Sequence, residues 1–418
     1  MVRSLDPPPT PLDIRQMEYS PNIAHLRPSA TIAVSSLAGR LRAEGRDIID
    51  LSAGEPDFDT PEWMADAAVA GIRSGRTRYT PVPGLPELRR AIAGYLESVA
   101  SAPIEWEGVV VGSGAKQALF NAAFALFGPG DEVLVAAPYW TSYPQIVSLA
   151  GSKAVFVAGP PEKNFLLTPE HLDASYTECT RGLILCSPCN PTGAVYSVEE
   201  LEAVAEWAKD RRVTLIADEI YREIYFGDDR SRAPSVLELP SDALGRFVLI
   251  DGASKSFAMT GWRIGFSYSD VETAKKLVAL QSHTTSNAAT PSQMAAVGAF
   301  SDPERARGAA QEMVVAFRRR RDRVTTLLRD FLPQVRFVEP SGTFYFFLQV
   351  DELFRSGISG STEFCSWLLE QTGVAMVPGA AFGDDRFARI SFATSDELLE
   401  EALHRFAGAV NDSASATG

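Results

Sequence analysis

The feature that most constrains this chain is an alternation of short apolar runs with helical stretches between residues 109 and 268. We predict strands at residues 109–111, 132–136, 154–157, 183–186, 213–217, 247–250 and 264–268, and helices among them at 116–127, 141–149 and 198–209. Short unbroken apolar strands that alternate with helices are typical of a mostly parallel sheet covered on both faces. Ligands bind at the carboxyl ends of the strands in such sheets.

The C-terminal part has a looser order of elements. An Arg-rich helical stretch at 304–330 precedes strands at 343–350, 375–377 and 388–392, with helices near 363–371 and from 397. With 418 residues, the chain is too long for one ordinary core. We therefore expect an α/β fold with a seven-stranded, mostly parallel sheet and a smaller α+β domain. The expected divisions are a disordered tail at 1–15, an N-terminal segment at 16–53 that packs with the small domain, a large domain at 54–295, the small domain at 296–410, and a disordered tail at 411–418.

The charge of the chain limits its partners. A formal net charge of −14 argues against nucleic acid and anionic membranes, because both favour basic surfaces. No apolar run has the length of a membrane helix, and the N-terminus lacks the apolar centre of a signal peptide. We expect a cytoplasmic protein.

The four cysteines, at 179, 186, 189 and 365, include one pair with CxxC spacing. A zinc site requires a second pair or nearby histidines, and the four histidines are scattered. A redox CxxC opens a helix, whereas Asn-Pro-Thr-Gly follows this one. We interpret the cysteines as small buried residues and expect no metal.

The stretch DGASKSFAMTGWRIG, at 251–265, contains a lysine and an arginine eight positions apart, Lys255 and Arg263. Small neighbours allow a flat ring to approach the lysine amine, and the arginine can bind a phosphate. Taken alone, the stretch favours a solvated lysine and a surface Arg–Trp pair, and the other motifs reverse that preference.

Polar groups also follow three of the predicted strands. GSGAK at 112–116 opens a helix, where free backbone N–H groups can bind a phosphate, although glycine turns are also common helix caps. Asn190 begins NPTG, which can be a simple turn, and Asp218 can pair with a pyridinium nitrogen or cap the next helix. Tyr221 follows one turn later. Together these groups come in the order that a pyridoxal-phosphate site needs.

An ordered set of motifs extends from Arg27 to Phe392. The motifs are RPSATIAV, LSAGEPDFDTP, YTPVPGLPELR, GAKQALFNA, PGDEVLVAAPYWTSYP, NPTGAVY, ADEIY, SKSFAMTGWRIG, SGTFYFF, VPG and RISFAT. As a set they resemble the class I and II aminotransferases, which have the fold of pyridoxal-phosphate-dependent transferases of fold type I. Within that family they are most similar to bacterial aspartate aminotransferases, including the aspartate/prephenate subgroup.

The resemblance implies roles in cofactor binding. Lys255 would bind the cofactor aldehyde and carry the proton of the substrate α-carbon. Asp218 would pair with the pyridine nitrogen, Tyr221 and Asn190 with the ring oxygen, and Trp140 would stack on the ring. The phosphate would be bound by Arg263 and the backbone of Ala115 and Lys116, and by Tyr79 of a partner subunit, which implies a homodimer.

The resemblance also implies substrate contacts. Arg389 would bind the substrate α-carboxylate through a bidentate fork, with help from Gly54, Asn190 and Trp140. No arginine occurs at 281–287, where animal-type enzymes bind a second carboxylate. Arg27 takes the position of a lysine that is thought to serve this purpose in the prephenate subgroup. Gly252 stands where relatives have Ser or Ala, so one possible phosphate hydroxyl is missing.

We therefore expect a ping-pong transaminase that moves an amino group from an L-amino acid, with aspartate preferred, to 2-oxoglutarate. Prephenate, aromatic or other amino acids remain alternatives, as does a pyridoxal-phosphate lyase of the same fold. A non-enzymatic regulator would need a DNA-binding domain, for which the short N-terminus leaves no room.

Overall fold

The computed structural model describes residues 20, 23, 26, 28 and 30–415. Its strands are β1 (Ile49–Asp50), β2 (Val109–Gly112), β3 (Glu132–Ala137), β4 (Lys153–Ala158), β5 (Thr180–Cys186), β6 (Thr214–Asp218), β7 (Phe247–Gly252), β8 (Gly265–Tyr268), β9 (Arg336–Phe337), β10 (Tyr345–Gln349), β11 (Val374–Ala375), β12 (Val377–Pro378) and β13 (Phe387–Ser391). Its α-helices are α1 (Ala30–Ala43), α2 (Glu62–Arg73), α3 (Pro86–Glu97), α4 (Ala115–Leu126), α5 (Tyr143–Leu149), α6 (Pro169–Asp173), α7 (Val198–Asp210), α8 (Ala253–Ser256), α9 (Val271–Ser282), α10 (Thr290–Phe300), α11 (Pro303–Phe331), α12 (Ser361–Thr372) and α13 (Asp396–Ser415). No helix of this part of the chain is both long and apolar enough to cross a membrane.

The central element is a seven-stranded sheet in the order β2-β8-β7-β6-β5-β3-β4. All neighbouring strands are parallel except at β8, which is antiparallel to both β2 and β7. The predicted fold class is therefore confirmed. Consecutive residues of a strand belong to different apolar clusters: Leu215 of β6 lies in one cluster, whereas Ile216 lies in another. Both faces are buried, which explains why the strands are continuous apolar runs.

A second sheet lies in the C-terminal part of the chain. It has four strands in the order β12-β13-β10-β9, all antiparallel, and it shares an apolar core with the long helix α11. β1, which comes from the N-terminal part, pairs in parallel with β11. This pairing brings β1 to the C-terminal part of the chain and places Leu51 and Ser52 beside β13.

Three details differ from the sequence predictions. The proposed boundary between residues 295 and 296 falls inside α10, a helix that packs on α2 and α3 and therefore continues the layer over the large sheet. The tail predicted to start at 411 is helical to Ser415, because adding residues to an existing helix costs little. The helices α6, α8, α9 and α10 were not predicted. The remaining domain divisions stay predictions, and the tail at 1–15 and Arg27 lie outside the described residues.

Candidate active site

A cavity of about 240 Å³ opens at the carboxyl ends of β5, β6 and β7, where the C-terminal sheet meets the large one. Ten of the residues predicted from the sequence line it: Gly54, Ala115, Lys116, Trp140, Asn190, Asp218, Tyr221, Lys255, Arg263 and Arg389. Tyr79 lies outside the cavity, with 92% of its surface exposed. The structure thus brings together side chains that are spread over most of the sequence.

Lys255 lies in the short helix α8, directly after β7. Its amine donates a hydrogen bond to the carbonyl oxygen of Gly54, and Nζ is 5.9 Å from the centre of the Tyr221 ring. Burial lowers the pKa of Lys255 from 10.5 to about 8, although the Glu55 carboxylate opposes that shift. A lysine with this pKa is partly neutral near physiological pH, which is the form that attacks an aldehyde.

Asp218 is the last residue of β6, and it is 4% exposed. The Tyr143 hydroxyl donates a 2.7 Å hydrogen bond to Oδ2, and the Ile220 N–H donates one of 3.2 Å to Oδ1. Burial raises the pKa of Asp218 to about 6, against the effect of these two hydrogen bonds and of Lys255. A carboxylate in so dry a site favours a cationic partner, such as a protonated ring nitrogen.

An anion-binding corner forms where α4 begins. The backbone N–H groups of Ala115 and Lys116 belong to the first helical turn, where no intrahelical carbonyl is available to them. Arg263 approaches from the turn before β8, and a Cβ placed on Gly114 would lie 2.3 Å from its Nη2. Gly114 has a φ of +88°, so both its conformation and this approach require glycine.

Two cations, Lys116 and Arg263, lie at the anion-binding corner. The Lys116 ammonium lies 4.9 Å from the centre of the Trp140 ring, and burial together with Arg263 lowers its pKa. Arg263 adopts a φ of +56°, which a non-glycine residue holds only under constraint. Its Nη1 donates to the Thr260 carbonyl oxygen at 2.8 Å. This arrangement suits a phosphate group.

Arg389, in β13, is buried on the opposite side of the cavity. Its Nη1 donates to Asn190 Oδ1 and its Nη2 to the Ser52 carbonyl oxygen, both at 2.9 Å. Its Nε is buried without a hydrogen-bond partner among the residues that the structure describes. A buried guanidinium with an unused donor and no carboxylate bonded to it is suited to bind a ligand carboxylate.

Two tyrosines in the cavity were not predicted. Tyr143 holds Asp218, and the Tyr345 hydroxyl lies 3.0 Å from the Tyr221 hydroxyl. Tyr143 and Tyr345 lie within the motifs PYWTSYP and SGTFYFF, and that position was the only sequence signal for them. Their contacts depend on how distant segments fold together.

The cysteines do not all behave as small buried residues. Cys186 and Cys365 are buried, but Cys189 is partly exposed and Cys179 is exposed, since Cys179 lies in the turn before β5. In the part of the chain that the structure describes, no group of three or more His, Cys, Asp or Glu residues could hold a metal ion.

Comparisons with known proteins agree with this geometry. Residues 46–406 match the family Aminotransferase class I and II. The aspartate/prephenate aminotransferase of Cereibacter sphaeroides is 42% identical over 393 residues, which are 92% of this chain and 97% of the relative. The aspartate aminotransferase of Bacillus subtilis is 38% identical over 390 residues, 93% of this chain and 98% of that protein.

Solved structures give the same result. The aspartate aminotransferase of Thermus thermophilus with maleate superposes with a TM-score of 0.87 at 38% identity, over 94% of this chain and 99% of that one. The aspartate aminotransferase of Thermotoga maritima superposes with a TM-score of 0.86 at 39% identity, over 94% of this chain and 100% of that one. The chain therefore belongs to the class I and II aminotransferase family and is an aminotransferase.

Proposed function

We propose that this enzyme is a pyridoxal-phosphate-dependent transaminase that moves an amino group from an L-amino acid, with aspartate preferred, to 2-oxoglutarate by a ping-pong mechanism. The observation that carries the proposal is the convergence, in one cavity, of an amine of lowered pKa at Lys255, a dry carboxylate at Asp218 and a buried guanidinium with an unused donor at Arg389.

The cavity residues fit pyridoxal 5′-phosphate group by group. The start of α4 and Arg263 would hold its phosphate, Asp218 its ring nitrogen, and Tyr221 with Asn190 its ring oxygen. Trp140 would stack on the ring, and Lys255 would hold the aldehyde carbon. When bound, the cofactor supplies an electron sink conjugated to the substrate α-carbon.

The protein's own groups then perform binding and proton transfer. Arg389 would bind the α-carboxylate through its guanidinium group and orient the α-carbon, while Asn190 and the Ser52 carbonyl fix the guanidinium plane. The Lys255 amine, partly neutral near physiological pH, would take the α-proton and later return one. Tyr143 and the Ile220 N–H keep Asp218 ionised beside the ring nitrogen.

The preference for aspartate is supported by charge and by the relatives. A dicarboxylate brings a second negative charge, which is costly to bury without a cation. The other cations that line the cavity, Lys116, Lys255 and Arg263, are assigned to the cofactor, so a second carboxylate needs a further cation. The Thermus relative was crystallised with maleate, a dicarboxylate. Arg27 stays our proposed partner for the distal carboxylate. Prephenate, aromatic or other amino acids remain the alternative substrates.

Arg27 is tested by substitution. Arg27→Ala should lower kcat/KM for aspartate and 2-oxoglutarate by a factor on the order of ten, because the substitution removes one charged hydrogen bond. Activity toward alanine should change little. Equal losses of kcat/KM for charged and neutral donors would show that Arg27 does not bind the distal carboxylate.

A homodimer is part of the proposal. Tyr79 is almost fully exposed, and Val69 and Ile72 of α2 present apolar surface 40% and 50% exposed. In the proposed dimer, a partner subunit would cover exposed apolar side chains such as these, and the Tyr79 hydroxyl would bind the phosphate in the partner's cavity. A cytoplasmic location and the absence of nucleic-acid partners remain predictions.

The central experiment is a spectral screen of donor amino acids. Purified protein loaded with pyridoxal phosphate should absorb visible light, and borohydride should fix the cofactor on Lys255. Without an acceptor, aspartate should yield one equivalent of oxo acid per site and then stop. A lyase of the same fold would instead release product continuously, and no spectral response to any donor would refute the proposal.

A further inference from the structure

One side chain connects the two halves of the cavity. The Tyr345 hydroxyl lies 3.0 Å from the Tyr221 hydroxyl, and the centre of its ring lies 4.2 Å from the Arg389 guanidinium carbon. A Cβ placed on Gly54 would lie 3.4 Å from the Tyr345 oxygen. Tyr345 thus contacts a residue assigned to the cofactor ring, the residue assigned to the substrate carboxylate, and the loop that accepts a hydrogen bond from Lys255.

The fold holds Tyr345 in one orientation. It begins β10, where it is paired with Ser391 of β13, and its side chain is fully buried. Its ring packs edge-on against Tyr221, with ring centres 5.9 Å apart. A closely packed aromatic side chain of this kind has little freedom to change rotamer.

The 3.0 Å distance between the two hydroxyls allows either of them to donate. In the proposed function, Tyr221 donates its single proton to the ring oxygen of the cofactor. Its bond to Tyr345 is then possible only if Tyr345 donates and Tyr221 accepts. The Tyr221 proton then remains available for a group in the cavity. A hydroxyl that accepts one hydrogen bond donates a second one more strongly.

We propose that Tyr345 is a positioning residue that turns the Tyr221 proton toward the ring oxygen of the cofactor through its hydroxyl and supports Arg389 through its ring. The inference rests on the proposed function, because it concerns the same cofactor and substrate carboxylate. It separates two effects of one side chain, the hydroxyl acting on the cofactor and the ring acting on the substrate.

Two substitutions separate these effects. Tyr345→Phe removes only the hydroxyl, so Tyr221 should stabilise negative charge on the ring oxygen less well. The pH midpoint of the visible absorption of the loaded enzyme should rise by about half a unit, with KM for the amino acid unchanged within about twofold. Tyr345→Leu also removes the ring under Arg389 and should raise KM about fivefold.

Tyr196→Phe is the matched control. The Tyr196 hydroxyl is buried and accepts a 2.8 Å hydrogen bond from the Leu167 N–H, but it does not line the cavity. This substitution should alter thermal stability without moving the absorption midpoint or KM. A shift of the midpoint equal to that of Tyr345→Phe would show that loss of any buried hydroxyl is sufficient and would overturn the proposal.

A double-mutant cycle tests whether Tyr345 acts through Tyr221. In Tyr221→Phe, the further change Tyr345→Phe should move the midpoint by less than a third of its effect in the wild type. Additive shifts, or no shift in Tyr345→Phe, would refute the positioning role while leaving the transaminase assignment intact. A wild-type protein that gains no visible absorption with pyridoxal phosphate would instead refute the proposed function, and the positioning role with it.

Discussion

At the scale of single residues, the environment of Lys255 leads to a prediction that needs no cofactor. Because burial lowers its pKa to about 8, the amine becomes neutral, and reactive, at lower pH than a free lysine. In cofactor-free protein, the extent of Lys255 acetylation should increase with pH, with a midpoint near pH 8. Peptide mass mapping measures that extent.

Lys153 is the control for that measurement. It is exposed, and its hydrogen bond to Glu132 raises its pKa. Acetylation of Lys153 should therefore increase at distinctly higher pH than that of Lys255. Identical pH profiles for the two lysines would contradict the proposed environment. In the loaded enzyme, Lys255→Ala should abolish both transamination and the borohydride adduct.

The sequence predicts the site residues that follow strands, but not the tyrosines that hydrogen-bond to site residues. Lys255, Asp218 and Asn190 each come directly or shortly after an apolar run, and strand ends of a parallel sheet meet at one edge. Tyr143 and Tyr345 could not be placed in the same way. Their positions depend on how a loop after β3 and a strand of the C-terminal sheet approach β6, which local pattern does not specify.

At the scale of elements, the contact between β7 and β8 explains Gly252. A Cβ at this position would lie 2.8 Å from Gly265 Cα and 2.9 Å from the Ile264 carbonyl oxygen. Gly252→Ser should therefore lower the free energy of unfolding by about 1–3 kcal/mol, the usual cost of overpacking, rather than supply a phosphate hydroxyl. Chemical denaturation measures this change.

Gly128→Ser is the matched control for Gly252→Ser. No atom lies within 4 Å of a Cβ placed on Gly128, and its φ is not in the left-handed region. This substitution should leave stability nearly unchanged. Tighter cofactor binding in Gly252→Ser, without loss of stability, would show that the strands can separate to admit a side chain.

A buried charge network behind the site leads to a prediction about pH. Arg222, fully buried, lies 3.1 Å from Asp251 and 3.8 Å from Glu219. Burial raises the pKa of both carboxyls to about 7, above the values of 3.8 and 4.5 expected in the unfolded chain. The folded state therefore binds protons more readily than the unfolded state, and stability should increase as pH falls from 8 to 6.

Glu219→Gln tests the predicted increase in stability at lower pH. The amide keeps an acceptor for the Val236 N–H but cannot ionise. The increase in the free energy of unfolding between pH 8 and pH 6 should be smaller than in the wild type, by on the order of 1 kcal/mol. An unchanged pH dependence would show that Glu219 stays ionised throughout this range.

The helices are predictable only where one face meets solvent. α7 has a clear apolar stripe and a Ser197–Glu200 capping box, and its predicted extent differs by one residue. α10 packs against α2, α3 and α11, so it carries buried residues on several sides. Because such a helix has no polar face, its sequence lacks the period that predicts a helix.

At the scale of the whole molecule, the exposed Tyr79 predicts an assembly. The enzyme should sediment as a dimer, and Tyr79→Phe should weaken pyridoxal-phosphate binding about tenfold by removing a hydrogen bond to a charged group. Tyr225→Phe, which removes a surface hydrogen bond to Asp229, should leave cofactor affinity unchanged. A monomer with full affinity would contradict this prediction.

The parallel pairing of β1 with β11 has a consequence for biosynthesis. β1 leaves the ribosome long before β11, its partner in the two-stranded sheet, and before Arg389, which donates to the Ser52 carbonyl oxygen. The intervening strands can pair beforehand, but contacts that close so long a loop form only after residues 374–389 have been translated. A nascent chain arrested before residue 374 should therefore carry a folded large sheet and an incomplete carboxylate site.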